Sequence, residues 1–355
     1  MKKYFYAILF LAGFVACKKD IPPTSPQQQG NISISTSKRL LICNEGNFGS
    51  GNASLSVYDP DSNGVINNAY SSANSNQSMG DVLQSYTKFN GKYFWVLNNS
   101  EKIIVTDKNF IHLATITGFI SPRYIQLVSN NKAYVSNYLS GSNGNQTNYI
   151  QILDMNTNTI TKTIELDGWS EEMVESYGNV FVTNMKKKYV YVINTLNDEV
   201  VDSVFLNATS ACIVKDVDEK IWISCNADAT NNIAARLVEI DPKTPHIIEK
   251  SISLNTTQNS ISRLCINGGE NTLYYLMSDV FKMPITATVV PSSPIVQQGS
   301  RTFYGLCIDP NDETIYISDA IDYNQNGNIL RYKSDGSYTS TFKAGISPGF
   351  MWIDE

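Results

Sequence analysis

The chain has 355 residues, 42% of them hydrophobic and only 17% charged, with a net charge of −6. This is ample apolar mass for a buried core, and the many Asn, Ser, Thr and Tyr residues suit strands and tight turns better than amphipathic helices. An acidic chain without a basic stripe argues against nucleic-acid binding, because neutralising phosphates needs clustered Lys and Arg.

Lys2 and Lys3 precede an apolar run from Tyr4 to Ala16 that ends in Phe14-Val15-Ala16-Cys17. The run is too short to cross a bilayer as a helix, so residues 1–16 read as a cleaved lipoprotein signal peptide. Cys17 after small and apolar residues resembles a bacterial lipobox, which implies that Cys17 is the lipidated first residue of the mature protein. Phe14 stands where such motifs favour Leu. Several acyl chains on one residue would hold the protein durably on a membrane. Residues 17–38 are rich in Pro, Gln and Ser and read as a flexible tether.

From residue 39 the sequence repeats. One strand-like segment recurs as RLLICNEG, KYFWVLNN, KAYVSNYL, NVFVTNMK, KIWISCNA, NTLYYLMS and ETIYISDA, beginning at Arg39, Lys92, Lys132, Asn179, Lys220, Asn271 and Glu313. The shortest spacings, near 40 residues, match a four-stranded propeller blade. After each copy comes a strand, a turn of Asp or Asn with Gly, Pro or Asn, and another strand, which is hairpin chemistry. The copies at 101–116 and 280–296 are less regular. Before each copy except the first lies a third strand-like segment, and a seventh of these, PGFMWIDE, ends the chain. The expectation is therefore all-β: a seven-bladed β-propeller over 39–355 with four-stranded antiparallel blades. The C-terminal strand would join the N-terminal blade and close the ring, which protects both end blades from exposed edges. A two-sheet sandwich also has short strands and turns, but it does not require a unit near 40 residues with a strand left over at each end.

Little in the chain suggests catalysis. The five cysteines after Cys17 sit in apolar runs and read as buried thiols; no CxxC pair exists. The two histidines, His112 and His246, fall in unrelated surroundings. Glu171 and Glu172 are neighbours on one strand and so point to opposite faces. Asp319 with Asp322 is the better carboxylate pair, and no phosphate-cradling Gly loop or G-x-S-x-G elbow is present. The expectation is a protein that is not an enzyme, with no catalytic residue.

AYVSN (133–137) and VFVTN (180–184) resemble the YVTN-type repeats of YncE-like propellers. CNEGNFGSGNASLSVYDP (43–60), SPRYIQ (121–126), GWSEEMV (168–174) and YISDAIDYNQNGNILRY (316–332) are similar to a Bacteroidetes family of surface lipoprotein propellers, as is FKAGISPGF (342–350). Its best understood members are the BtuG-type proteins. The resemblance implies capture of a corrinoid such as cobalamin outside the cell and its transfer to a TonB-dependent outer-membrane transporter. It also implies anchoring in the outer membrane with the propeller facing outward. The alternatives are a surface-layer or protein-interaction propeller of the cell envelope and, third, a propeller lyase or hydrolase.

In a propeller the loops after the repeated strand and those before the innermost strand share one face. Here they are long and polar, and binding usually resides in such loops. They offer Asn44, Phe48, Phe119, Arg123, Tyr138, Trp169, Asn184, Arg301, Tyr304 and Tyr323 as candidate ligand contacts. Aromatics give broad contacts, while amides and Arg give directional hydrogen bonds. Each aromatic has packing between blades as its competing role, and each strand-end Asn has turn formation. Asp322, Asn324 and Asn326 alternate before Gly327 as calcium ligands do, although Lys333 stands where a bidentate Glu would complete the loop. A local turn is the simpler reading there. No cofactor is required; a corrinoid ligand and a calcium ion are the two bound species the sequence suggests.

Overall fold

The computed structural model describes residues 38–138 and 147–355. The signal peptide at 1–16, Cys17 and the tether up to residue 37 lie outside it, as does most of the loop between Tyr138 and Tyr149.

The described residues form seven antiparallel sheets. Blades 2 to 7 follow the chain, with inner strands Leu83–Phe89, Pro122–Ser129, Ser170–Ser176, Ser210–Lys215, Arg263–Ile266 and Phe303–Ile308. Blade 1 takes Arg39–Asn44, Ser54–Asp59 and Gly64–Ile66 from the start of the ring, and its inner strand is Pro348–Asp354. That strand pairs antiparallel with Arg39–Asn44, in the register Leu40↔Ile353 and Leu41↔Trp352. Each inner strand packs on the next, and the seventh packs on the first, so the ring closes.

Blade position explains each strand's residue pattern. Second strands are covered on both faces by neighbouring blades and read as continuous apolar runs. In Lys92–Leu97, every residue after the lysine is fully buried, Trp95 among them. Outer strands face solvent, and in Glu199–Phe205 only Val204 is buried. The turns are capped by Asp and Asn side chains that accept backbone N–H groups two or three residues on. Asp59 accepts from Asp61 and Ser62, and Asp154 from Asn156 and Thr157. Blade 6 departs from the pattern with three regular strands. At its outer edge Val280 exchanges backbone hydrogen bonds with Ile295 and Val296 in an irregular run. A short helix, Ala69–Ala73, occupies the link from blade 1 to blade 2, which the sequence pattern did not signal.

One irregularity positions the site. In six of the seven blades, the register between inner and second strands shifts near the start of the inner strand. Such bulges re-aim side chains. Here they fall at Gln84, Arg123-Tyr124, Glu171-Glu172, Ala211-Cys212, Tyr304-Gly305 and Gly349-Phe350, around the axial mouth on the long-loop face.

Candidate ligand-binding funnel

The bulged Gln84, Arg123, Glu171, Glu172 and Tyr304 join Glu45 and Arg263 in a polar cluster among the inner strands. Arg123 of blade 3 donates through Nε and Nη2 to Glu171 Oε2 of blade 4, at 3.1 and 3.0 Å. Its Nη1 donates to Gln84 Oε1 of blade 2, so one guanidinium ties three blades together. Glu172 turns the other way, and its Oε2 accepts the Ile213 N–H of blade 5 at 3.1 Å. Opposite, the Tyr304 hydroxyl of blade 7 lies 2.8 Å from both carboxylate oxygens of Glu45. Glu45 rests against Gly349, where a Cβ would come within 2.6 Å of Oε1. The Arg263 guanidinium of blade 6 lies 5.3 Å from the centroid of the Tyr304 ring.

Burial dominates the electrostatics. It raises the Glu172 carboxyl to about 7, opposed by Arg263 and by the Ile213 N–H and assisted by Glu171. Glu45 is also raised by burial, against the Tyr304 hydroxyl and both arginines. Arg123 and Arg263 both act on Tyr124, Tyr304, Glu45 and Glu172, which places them in one chamber. Further along the inner strands Val128, Val174, Val214, Ile266 and Trp352 are partly or largely exposed, interspersed with polar residues such as Lys88, Gln126, Glu175 and Lys215.

At the rim, Gly168 adopts φ +97°, and a Cβ there would meet Asn184 Oδ1 at 2.4 Å. This turn presents Trp169, which stacks on Tyr138 with centroids 5.2 Å apart and planes at 22°. Lys186 Nζ sits 4.2 Å from the indole centroid, and the indole N–H has no hydrogen-bond partner among the described residues. The Arg123 guanidinium lies 5.4 Å from the Tyr138 centroid, which joins the rim to the chamber. Tyr323 meets Tyr304 edge to face at 5.3 Å.

Arg123, Tyr138, Trp169, Tyr304 and Tyr323 are therefore brought together. The five other expected contacts have different places. Asn44 is fully buried; it donates to Ser54 and Ser56 and accepts the Gly345 N–H. Asn184 is fully buried and holds the 167–187 turn through Asp167 O and the N–H groups of Trp169, Lys186 and Lys187. Phe119 is core packing with Phe94 and Val135. Arg301 acts on Tyr332, in the third strand of blade 7. Phe48 is a solvent-exposed loop tip. The Asp322 carboxylate folds onto its own loop, accepting the N–H groups of Asn324 and Gln325 and the Gln325 amide. Asn326 begins a strand. Asp319, the other half of the expected acid pair, accepts the N–H groups of Thr302 and Ile321. Among the described residues no group of three or more His, Cys, Asp or Glu is set to hold a metal. Sequence reasoning missed Glu45, Gln84, Tyr124 and Arg263 and set aside Glu171 and Glu172. The available signal was positional, since all but Glu45 stand near the start of an inner-strand segment.

These features define a seven-bladed β-propeller with a charged axial funnel. The chain belongs to the DUF5074 family, described as a domain of unknown function, whose model matches residues 38–341. No curated protein matches it. Among solved structures it is similar to a quinonprotein alcohol dehydrogenase-like protein from Bacteroides thetaiotaomicron, with 14% identity over 88% of this chain and 77% of that one and a TM-score of 0.67. It is similar also to a functionally unknown protein from Desulfotomaculum acetoxidans, with 10% identity over 89% and 98% and a TM-score of 0.63. A third is apo AztD from Citrobacter koseri, with 9% identity over 89% and 98% and a TM-score of 0.54. At such identities the likeness is one of fold.

Proposed function

We propose that this propeller is a non-catalytic ligand-capture protein of the BtuG-like type. It would be held at the outer membrane by lipidated Cys17, bind a corrinoid at the funnel mouth and pass it to a TonB-dependent transporter. The observation that carries this reading is the half-buried Tyr138–Trp169 stack, set beside the Arg123 guanidinium at the rim. A corrinoid is a broad ring with amide side chains and a phosphodiester, so it can use flat aromatic contacts and cationic donors together. The loop resemblance to Bacteroidetes surface propellers supports the same ligand. The test is a titration of purified protein with cobalamin, followed by absorbance and calorimetry. Saturable binding that Trp169→Ala weakens supports the reading; no binding at micromolar ligand overturns it.

A second reading, a protein-interaction propeller, is favoured by one feature. The outer edge of blade 4 exposes Leu196, Val200, Val201 and Phe205 together with Tyr189, which packs on Phe205 at 5.3 Å. Exposed apolar groups of this kind mark contact surfaces when they adjoin.

A further inference from the structure

Arg263 stands apart from the other charged groups of the funnel. Arg123 is neutralised by Glu171 through two hydrogen bonds to one oxygen. Arg263 has no carboxylate at ion-pair distance among the described residues, and its hydrogen bonding there is one Nη1 contact, 2.8 Å, to the carbonyl of its neighbour Ser262. A guanidinium carries five N–H donors in a planar fork, so most of this fork is open to the funnel. The side chain is held in place by the Tyr304 ring, and it faces the Tyr124 hydroxyl side of the chamber.

We propose that Arg263 is the receiving group for a single oxyanion, a phosphate or carboxylate of the captured ligand, and that Glu172 gates this site by giving up or holding its proton. The proposal rests on the funnel being a ligand site, not on the ligand being a corrinoid. A guanidinium with free paired donors matches a planar or tetrahedral oxyanion in a bidentate manner. The electrostatic environment sets the gate. Glu172 is held by the Ile213 N–H, on the inner strand that packs against that of Arg263, and is coupled electrostatically to Arg263, Arg123, Glu171, Tyr124, buried Cys212 and half-buried Cys265. When ionised, Glu172 is a counter-charge for Arg263 and competes with an incoming anion. When protonated, it leaves Arg263 uncompensated. An anion on Arg263 would in turn favour the protonated form, because like charges at short range in a desolvated chamber disfavour each other. Binding therefore takes up a proton, and affinity falls as pH rises through neutrality.

The test uses sulfate, whose charge is constant over this range, with acetate as a carboxylate arm, titrated into purified protein in low-salt buffer. Calorimetry should show saturable sulfate binding that weakens several-fold between about pH 6 and about pH 8. Arg263→Gln should weaken it by roughly tenfold or more, the scale of lost charge-assisted hydrogen bonds. Arg331→Gln, the same charge change at the Tyr58 contact away from the axis, should leave it unaltered. Glu172→Gln keeps the shape of the protonated acid and should bind sulfate at about pH 8 as tightly as the parent does at about pH 6. Sulfate stronger than acetate assigns the site to phosphate-like groups, and the reverse assigns it to carboxylates. Absence of saturable binding by either anion, or parent-like affinity in a folded Arg263→Gln, overturns the proposal. Should Arg263→Gln fail to fold, an unchanged pH profile in Glu172→Gln overturns it instead. Sulfate binding without cobalamin binding would retire the corrinoid reading and leave this one standing.

Discussion

Arg39 and Asp354, from opposite ends of the described chain, meet in a buried ion pair with Nε 3.0 Å from Oδ2. The same carboxylate takes Lys88 Nζ at 2.6 Å and the Tyr93 hydroxyl, both from blade 2. The residue pair that closes blade 1 thus also fastens it to the next blade. Asp354→Ala would strand the Arg39 guanidinium, whose remaining hydrogen bonds among the described residues are to Tyr93 and the Lys108 carbonyl. Removing one partner of a buried pair costs about 3–5 kcal/mol. The expected outcome is a large drop in the urea midpoint; a change below about 1 kcal/mol would mean that strand pairing alone closes the ring.

The acid limb of stability should follow Asp354 and Glu313. Burial pushes Asp354 up, but hydrogen bonds from Lys88, Tyr93 and Arg39 together hold it below the usual carboxylate range. Glu313 is lowered to about 2 by Lys282 and Asn267, against some burial and with help from Tyr274. Carboxyls with depressed folded values stabilise above their unfolded values and lose that contribution as pH falls through the folded ones. Thermal midpoints should therefore drop steadily from about pH 4 towards about pH 2. Glu172 has the opposite sign: raised in the folded state, it weakens stability as pH rises from about 4 to about 7. Glu172→Gln should raise the midpoint at about pH 8 and leave it nearly unaltered at about pH 4. Equal shifts at both pH values would contradict the buried, ionising carboxyl.

Trp169 and Arg123 should behave differently on truncation. Trp169→Ala removes a partly exposed ring whose own N–H makes no bond among the described residues, so ligand affinity should fall while stability changes little. Arg123→Ala leaves the buried Glu171 without its cation and should destabilise by about 3 kcal/mol or more. Paired denaturation and titration curves separate the two effects. If Arg123→Ala proves as stable as the parent, the three-blade tie through Gln84 and Glu171 carries no load.

The sequence exposes the ring more readily than the funnel for a physical reason. Strand identity is local: Tyr93 to Leu97 is an unbroken apolar run because both faces of a second strand are covered, and Asp59 or Asp154 marks its turn by folding onto the next N–H groups. The funnel is not local. Arg123, Glu171, Arg263 and Tyr304 are separated by tens of residues and become neighbours only because each begins an inner strand. The aim of Arg123, Glu171 and Tyr304 depends on bulges, which leave no composition signal, while Arg263 starts an inner strand paired in regular register. Asn44 and Asn184 misled for the related reason that a strand-end amide serves a turn as readily as a ligand, and in a closely packed ring the turn takes it.

A close backbone approach of blades 7 and 1 supplies a last expectation. A Cβ on Gly305 would stand 2.2 Å from the Gly349 carbonyl oxygen, which is backbone and has no rotamer with which to withdraw. A Cβ on Gly349 would instead meet Glu45 Oε1 at 2.6 Å and Tyr304 Cε1 at 3.2 Å, both on side chains able to move. Gly305→Ala should therefore force the two inner strands apart and cost about 1–3 kcal/mol, the range for overpacking a filled interior. Gly349→Ala should cost less stability but displace Glu45 from the Tyr304 hydroxyl. Loss of that hydrogen bond removes one of the groups holding the Glu45 carboxyl down, so its titration should move upward, with carboxyl NMR shifts as the readout. If Gly349→Ala proved the more destabilising of the two, contact with Glu45, not backbone proximity, would be the constraint that keeps glycine at this seam.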